Sequence, residues 1–541
     1  MNFDQFLLLG AILVPALGAL SLLCGMGRSD DFAKKLSCFA FGFPCLAGIA
    51  LFLRFDDSIH GYNFTVLYSR MGLQELKINF HLGLNGVSSP LFAMAGLVGF
   101  GAGLAAIGSG VERIRLYLAL LLFMQSGLMG LFASVDLFFY YLFHEFALIP
   151  TFVMIGIWGG RDRRSIALEI TVYLTLGALV SLGGLIALNV MVDAKSFDFP
   201  SLSQAISEMG MGESTQFKIF GMLLFGFGVL VALFPFHTWA PRGYEAAPTS
   251  VSMLHAGVLK KFGLYGLVQI AAPLLPEAAL AWSPYLLWLA LGNVLFVGFV
   301  TLAQTNLKSM VGNGSVMHMG YCFLGVGVCS SLGAGATVML MAAHGLSVSL
   351  MFLLSQYVYR RSGTLEMTQM GGLASQTPVL ACFFIAASLA TIGLPGFGNF
   401  WGEFGIFLSL GENSDHQLIL GLAALGIIIS AIFGLRAVAR MFYGKQSDEL
   451  SEFAKDSPIV DLSVTEMIPA GVLVSALLFL GLWPKGISER VNHEIHLRYD
   501  SSSSLSGRTS QLPPCCLAGK DQEGKGSVSP EDRTTLEPKK D

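Results

Sequence analysis

Long apolar runs separated by short polar loops recur along almost the whole chain, from "FLLLGAILVPALGALSLL" near the start to "ALLFLGLW" at its last apolar stretch. Runs of about 18 to 25 apolar residues are long enough for a helix to cross the hydrocarbon layer of a bilayer. The pattern predicts an all-α polytopic membrane protein with about fourteen transmembrane helices. The expected spans are 5–24, 36–54, 87–108, 115–134, 137–158, 166–191, 218–236, 249–271, 280–303, 310–330, 333–357, 379–410, 417–442 and 464–483.

Two of these apolar segments are interrupted by proline and glycine. "FPFHTWAPRGYEAAP" follows the seventh expected span and contains Pro235, Pro241 and Pro248, and "TIGLPGFGNFWGEF" breaks the twelfth at Pro395 and Gly396. Backbone groups freed by such a break must face protein or water, because lipid cannot satisfy them. Two broken segments five spans apart suggest two related halves and point to a transport path between them.

The charged residues indicate how the chain is oriented in the membrane. Only 13% of the chain is charged against 54% hydrophobic, and no basic face carries interleaved aromatic residues, so nucleic acid is not an expected partner. Lysine and arginine collect in the loops after odd-numbered spans, as at Arg113 and Arg115. The positive-inside rule makes these loops cytoplasmic, and an even number of spans then places both termini on the non-cytoplasmic side. The polar stretch 487–541, rich in Ser and Gly, is expected to be disordered.

Ionisable side chains in the middle of apolar spans are costly to bury, so each is a functional candidate. Their pattern suggests a transporter whose ion path is made of titratable groups. A glycine-rich stretch, "GFGAGLAAIG", imitates a dinucleotide fingerprint, but it lacks the strand and acidic partner of such sites and favours close helix packing instead. The candidates are Glu145, Lys260, Lys261, His318, His344 and Glu403.

The stretches "FPFHTWAPRGYEAAPTSVSMLHAGVLKKFGLYGL" and "GLPGFGNFWGEF" resemble the antiporter-like proton-translocating subunits of respiratory complex I, the NADH:quinone oxidoreductase, and among them the chain M or chain 4 type. Mrp-type cation/proton antiporter subunits are relatives of this family. The resemblance spans roughly residues 80–485 and implies fourteen helices, two inverted five-helix repeats and breaks in helices 7 and 12. The implied segments are an N-terminal three-helix segment at 1–110, the two repeats at 111–272 and 280–445, a C-terminal helix region at 446–486 and a disordered tail at 487–541.

The resemblance also implies a function, which is proton translocation along a mid-membrane axis as a membrane-arm subunit of the oxidoreductase. It implies no redox centre, cofactor or metal on this chain, because NADH, FMN, the iron–sulfur clusters and quinone belong to partner subunits. The expected partners are the other membrane-arm subunits and the lipid bilayer of a bacterial-type inner or plasma membrane. The residues carried over to proton translocation are Glu145, Lys261, His318, His344, Glu403 and, beside the first break, His237.

The chain departs from the family pattern near the first break. Leu230 stands where the family usually has a lysine, Ala232 replaces its first proline, and "PRGY" replaces the usual "PDAH". Lys260 is one candidate substitute for the missing lysine. Since adjacent helical residues point about 100° apart, Lys260 either joins the path separately from Lys261, contacts a neighbouring subunit or extends toward the membrane surface.

Three functions stay open at this point. The first is the proton-translocating complex I subunit. The second is a subunit of a cation/proton antiporter or of a membrane hydrogenase-type complex. The third is a structural paralogue with impaired pumping, which the apolar Leu230 supports.

Overall fold

Helices make up most of the chain in the computed structural model, which describes residues 1–25, 29–59, 61–68 and 77–505. Within these ranges, eleven helices are long and apolar enough to cross a membrane, so the chain is a polytopic integral membrane protein, as predicted. They are Phe3–Leu23, Asp30–Leu53, Ser88–Ile107, Ile114–Ala133, Leu137–Trp158, Arg163–Met191, Glu213–Val231, Pro276–Ala303, Ser331–Ser362, Ser414–Phe442 and Val464–Leu482.

Further helices are shorter, more polar or irregular. The segment 249–274, called the lysine segment here, alternates α-helical and π-helical turns, whereas an unbroken α-helix is what the sequence pattern indicates. π-Turns of this kind frequently lie at functional sites. The other α-helices of the described chain are Phe199–Met209, Trp239–Ala246, Leu307–Gly327, Pro378–Ile392, Gly398–Gly411, Asp448–Asp456 and Lys485–Leu505, and two short 3-10 helices are Met367–Gln369 and Leu373–Ser375.

Both predicted breaks are present. The first, residues 232–238, begins when Ala232 adopts a left-handed conformation with φ of 71°, which ends the seventh span at Val231 and five residues before the predicted end. The side chain of Asn293 holds this break: it accepts a hydrogen bond from the Phe234 amide at 2.7 Å and donates one to the Ala232 carbonyl at 2.8 Å. The freed backbone groups are thus satisfied by protein.

The second break, residues 393–397, separates Pro378–Ile392 from Gly398–Gly411. Gly393 starts it with φ of 82°, a conformation in which any other residue type would be strained. A side chain at this position would also collide with the carboxylate of Glu403. The glycine therefore ends one half-helix and leaves room for an acidic side chain of the next.

Two elements outside the bundle differ from the prediction. The long loop after the second span contains an antiparallel hairpin of strands Asn63–Tyr68 and Phe80–Leu84, so the chain is not wholly α-helical. The tail predicted to be disordered from residue 487 instead continues as the helix Lys485–Leu505. Ile487, Val491 and Ile495 lie four residues apart on one buried face of that helix, and this packing stabilises an otherwise polar segment. Residues 506–541 lie outside the described residues.

A buried aspartate at the start of the fifth span gives a testable pH dependence. Asp136 caps the helix Leu137–Trp158 by accepting from the Phe138 amide at 2.8 Å, and it also accepts from the Asn79 amide at 3.2 Å. Burial raises the pKa of Asp136 to about 6. A carboxyl group whose pKa is raised in the folded state contributes stability at low pH that is lost as pH rises through about 6.

We expect Asp136→Asn to keep the cap and to flatten this pH dependence, whereas Asp136→Ala should lose the cap at a cost of about 1 kcal/mol. Thermal unfolding midpoints of the two purified variants, measured on both sides of pH about 6, check this. An Asn variant with the same pH dependence as the unmodified protein would contradict it.

Candidate functional site

Four elements converge on a polar line in the apolar interior. They are the lysine segment, the helix Leu307–Gly327 with His318, the helix Ser331–Ser362 with His344, and the half-helix Gly398–Gly411 with Glu403. Every residue of the helix Leu307–Gly327 is buried, so this helix forms the centre of the second half of the bundle. The line formed by the side chains of Lys261, His344, His318 and Glu403 is called the central line below.

The first contact of the central line joins a lysine to a histidine. Lys261 is fully buried, and its Nζ donates to the Ala256 carbonyl at 2.7 Å and lies 2.9 Å from Nδ1 of His344. An ammonium group has only donors, so Nδ1 is the acceptor when Lys261 is charged, and His344 then carries its own proton on Nε2. This contact is short enough for direct proton transfer.

The line continues to the second break. The rings of His344 and His318 have centroids 6.0 Å apart, a separation that a single water can bridge. Nδ1 of His318 lies 3.3 Å from Oε1 of Glu403, an ion-pair distance without the alignment of a good hydrogen bond. Glu403 is 5% exposed and ends the line beside Gly393.

This order of groups can carry a proton. Each member can accept a proton on one side and release it on the other, and the low-dielectric surroundings make the charge of any member act strongly on its neighbours. The two imidazole rings are suited to relay because each has two nitrogens. The arrangement therefore has the chemistry needed to pass a proton between Lys261 and Glu403.

Two predicted residues lie outside the central line. Glu145 has a side chain that is 28% exposed, and its Oε1 is 3.5 Å from Nδ1 of His144. The His144 ring in turn stacks on Phe262, the residue after Lys261, at 3.9 Å between centroids. Glu145 thus approaches the lysine segment through an aromatic contact and touches none of the four groups directly.

His237 is the second of these residues. It lies in the first break, 7% exposed, and stacks on Phe234 at 5.6 Å between centroids. The structure therefore brings together Lys261, His344, His318 and Glu403 and leaves Glu145 and His237 at the periphery.

Lys260 does not reach the membrane surface or an outer face of the chain, so those two interpretations of it are wrong. It is 1% exposed, its Nζ lies 3.4 Å from Oγ of Ser315, and it sits over the ring of Tyr244 at 5.4 Å. Tyr244 is the last residue of "PRGY", a stretch that departs from the family pattern, whereas no sequence feature marks Ser315. Only the folded chain shows that both face a buried lysine.

A membrane-spanning helical bundle with two broken helices and a buried line of basic and acidic groups defines the class of ion-translocating membrane subunits. Within that class, the chain belongs to the family described as NADH:quinone oxidoreductase/Mrp antiporter, TM, whose sequence profile matches residues 134–431. The resemblance predicted from the motifs is confirmed.

Relatives and solved structures agree with this assignment. NADH-quinone oxidoreductase subunit M of Rickettsia bellii is 31% identical over 482 residues, covering 88% of this chain and 95% of the relative. NAD(P)H-quinone oxidoreductase chain 4 1 of Picosynechococcus is 33% identical, with coverage of 76% and 77%.

Among solved structures, a chain of respiratory complex I from Thermus thermophilus with bound NADH superposes with a TM-score of 0.80 at 28% identity, covering 92% of this chain and 99% of that one. A chain of the Mrp complex from Dietzia has a TM-score of 0.81 at 18% identity, covering 94% and 99%, and so shares the fold.

Proposed function

We propose that this chain is a membrane-arm subunit of a proton-translocating NADH:quinone oxidoreductase and that protons cross it along the central line. The observation that carries the proposal is the buried contact of Lys261 with His344, continued by His318 to Glu403. The names of its relatives, and the complex I chain that it resembles over nearly its whole length, support the same assignment.

The finer architecture belongs to the same proposal. Fourteen crossings result when the eleven long apolar helices are joined by the lysine segment, by Leu307–Gly327 and by the broken pair 378–411. One broken segment in each of 111–272 and 280–445 supports two inverted repeats. With an even number of crossings, both termini lie on the non-cytoplasmic side of a bacterial-type inner or plasma membrane.

The redox chemistry is assigned to partner subunits. NADH, FMN, iron–sulfur clusters and quinone would bind there, and this chain would contribute only proton movement between its own side chains. Its role in the oxidoreductase is therefore to couple proton movement to the redox reaction of the partner subunits. Its partners are the other membrane-arm subunits.

Purification of the tagged chain from its native membrane tests the proposal. We expect the other subunits of an NADH:quinone oxidoreductase to copurify, and we expect the purified complex in lipid vesicles to take up protons when NADH is oxidised. Copurification with cation/proton antiporter subunits, and cation-dependent proton exchange without NADH, would assign the chain to the antiporter alternative instead.

A pumping-impaired paralogue is a second candidate because Leu230 is apolar and 4% exposed where the family usually has a lysine. If the missing charge limits pumping, Leu230→Lys should raise the number of protons taken up per NADH oxidised, since a cation on this helix could act on Glu145. Leu230→Met is the matched control, because it changes shape without adding charge. An unchanged proton ratio in Leu230→Lys vesicles would reject the idea that this position limits pumping.

A further inference from the structure

The two adjacent lysines face different surroundings. Lys261 points into the central line, whereas Lys260 points toward Tyr244 and Ser315. The π-helical turn His255–Leu259 precedes the pair, and the Lys260 amide closes it by bonding to the His255 carbonyl at 2.9 Å. Lys260 has helical backbone angles and Lys261 begins the next α-helix, so the step of about 100° between successive helical residues points the two side chains in different directions.

The described protein groups stabilise the ammonium of Lys260 only weakly. This group has three donors, and Ser315 offers it one acceptor at the long distance of 3.4 Å, supplemented by the face of the Tyr244 ring. Lys308 shows the contrast: its Nζ lies 3.2 Å from the Glu245 carbonyl and at 2.5 Å from that of Ala247. Lys308 is thus held by two carbonyl acceptors, whereas the partners of the Lys260 ammonium among the described residues are weaker.

The position of Lys260 connects the first break to the central line. Tyr244 belongs to the helix Trp239–Ala246, which directly follows that break. Ser315 lies three residues before His318, and residues spaced by three share one face of a helix. Lys260 therefore lies between the broken seventh span on one side and the elements of the central line on the other.

Electrostatics restricts the pair of lysines to few charge states. Two buried ammonium groups repel each other strongly because the dielectric constant around them is low, so a proton on one opposes a proton on the other. Neutral Lys260 beside charged Lys261, and the reverse, are then the favoured states. The pair can exchange one proton without adding a second charge to the interior.

We propose that Lys260 is the proton donor to Lys261, the group through which protons from the side of the first break reach the central line. In this step an N–H bond of the Lys260 ammonium breaks, and the proton forms a new N–H bond with the neutral amine of Lys261. Because Lys260 is buried, its neutral amine is then reprotonated from the side of the first break through water that connects it to the aqueous phase. The inference rests on the proposed function, because it supplies the input of the same path.

Three substitutions of Lys260 in the complete complex test this role. Lys260→Met removes the proton-exchanging group, Lys260→Arg keeps a positive charge that does not dissociate, and Lys260→His restores a group that titrates. Proton uptake per NADH oxidised is measured in vesicles, and NADH oxidation with an artificial acceptor reports assembly. We expect Met and Arg to lower the proton ratio and His to recover part of it.

Two controls separate the outcomes. Lys308→Met removes a buried lysine from outside the path and should leave the proton ratio unchanged in assembled complex. Lys261→Ala tests the proposed function itself: if it lowers the ratio while Lys260→Met leaves it unchanged, only the role of Lys260 fails. Full recovery by Lys260→Arg would likewise overturn that role, because it would show that charge alone is needed. If Lys260→Met does not assemble, the comparison of the Arg and His variants decides.

Discussion

Lys261→Ala should abolish the share of proton translocation that this subunit contributes, while NADH oxidation by the assembled complex continues. The substitution removes the only group of the central line that contacts His344 within hydrogen-bond distance in the described chain. A cavity would remain, but the chain would no longer have to bury an ammonium group, and these two effects on stability oppose each other. The loss of proton transfer therefore need not be accompanied by loss of the fold.

The measurement is proton uptake per NADH oxidised in vesicles that contain the purified complex. Val258→Ala is the matched control, since it removes buried atoms from the same segment without touching the line, at a cost of about 2 kcal/mol in stability. We expect the control to keep the normal proton ratio. An assembled Lys261→Ala complex with a normal ratio would show that the chain is a structural spacer.

Glu403→Gln should have the second largest effect on proton translocation, because it removes the proton-accepting group at the other end of the central line. Glutamine has nearly the same shape as glutamate but cannot accept a proton from His318, whose Nδ1 lies 3.3 Å from the carboxylate. For comparison, a general acid or base typically contributes about 10²- to 10⁴-fold to the rate of the reaction that it catalyses. We therefore expect the proton ratio to fall strongly while the second break, shaped by Gly393, keeps its form.

Glu412→Gln provides a control on the same element, since Glu412 caps the half-helix Gly398–Gly411 and is exposed. It should leave both NADH oxidation and the proton ratio unchanged. The initial rate of proton uptake, compared between the two variants at equal NADH oxidation, measures the difference. If both variants behaved alike, Glu403 would not be part of the path.

Much of the bundle follows from one-dimensional patterns. A segment that crosses lipid must satisfy its own backbone and stay apolar, so the spans were visible as apolar runs. The breaks were visible for a related reason: Pro395 and Gly396 cannot continue a helix. His318, His344 and Glu403 were detectable because ionisable groups are rare at membrane depth.

Other features depended on contacts between distant segments. The hairpin pairs Asn63–Tyr68 with Phe80–Leu84; the first strand contains Phe, Thr, Val and Tyr, which favour strands, but so short a segment is stable only when it is paired. The helix Lys485–Leu505 is polar overall and is stabilised by burial of Ile487, Val491 and Ile495. Packing on the bundle therefore decides the structure of the helix, and pairing between the two strands decides that of the hairpin.

The sequence by itself determined that this protein crosses the membrane many times, that two spans are broken and that titratable groups lie among them, because lipid penalises every polar atom that is not satisfied. Only the tertiary structure decided which of these groups form one line. Glu145 is as unusual in its span as Glu403, yet it is partly exposed and contacts His144. The two lysines have the same chemistry, but the packing of neighbouring helices gives Lys260 the partners Ser315 and Tyr244, whereas Lys261 contacts His344.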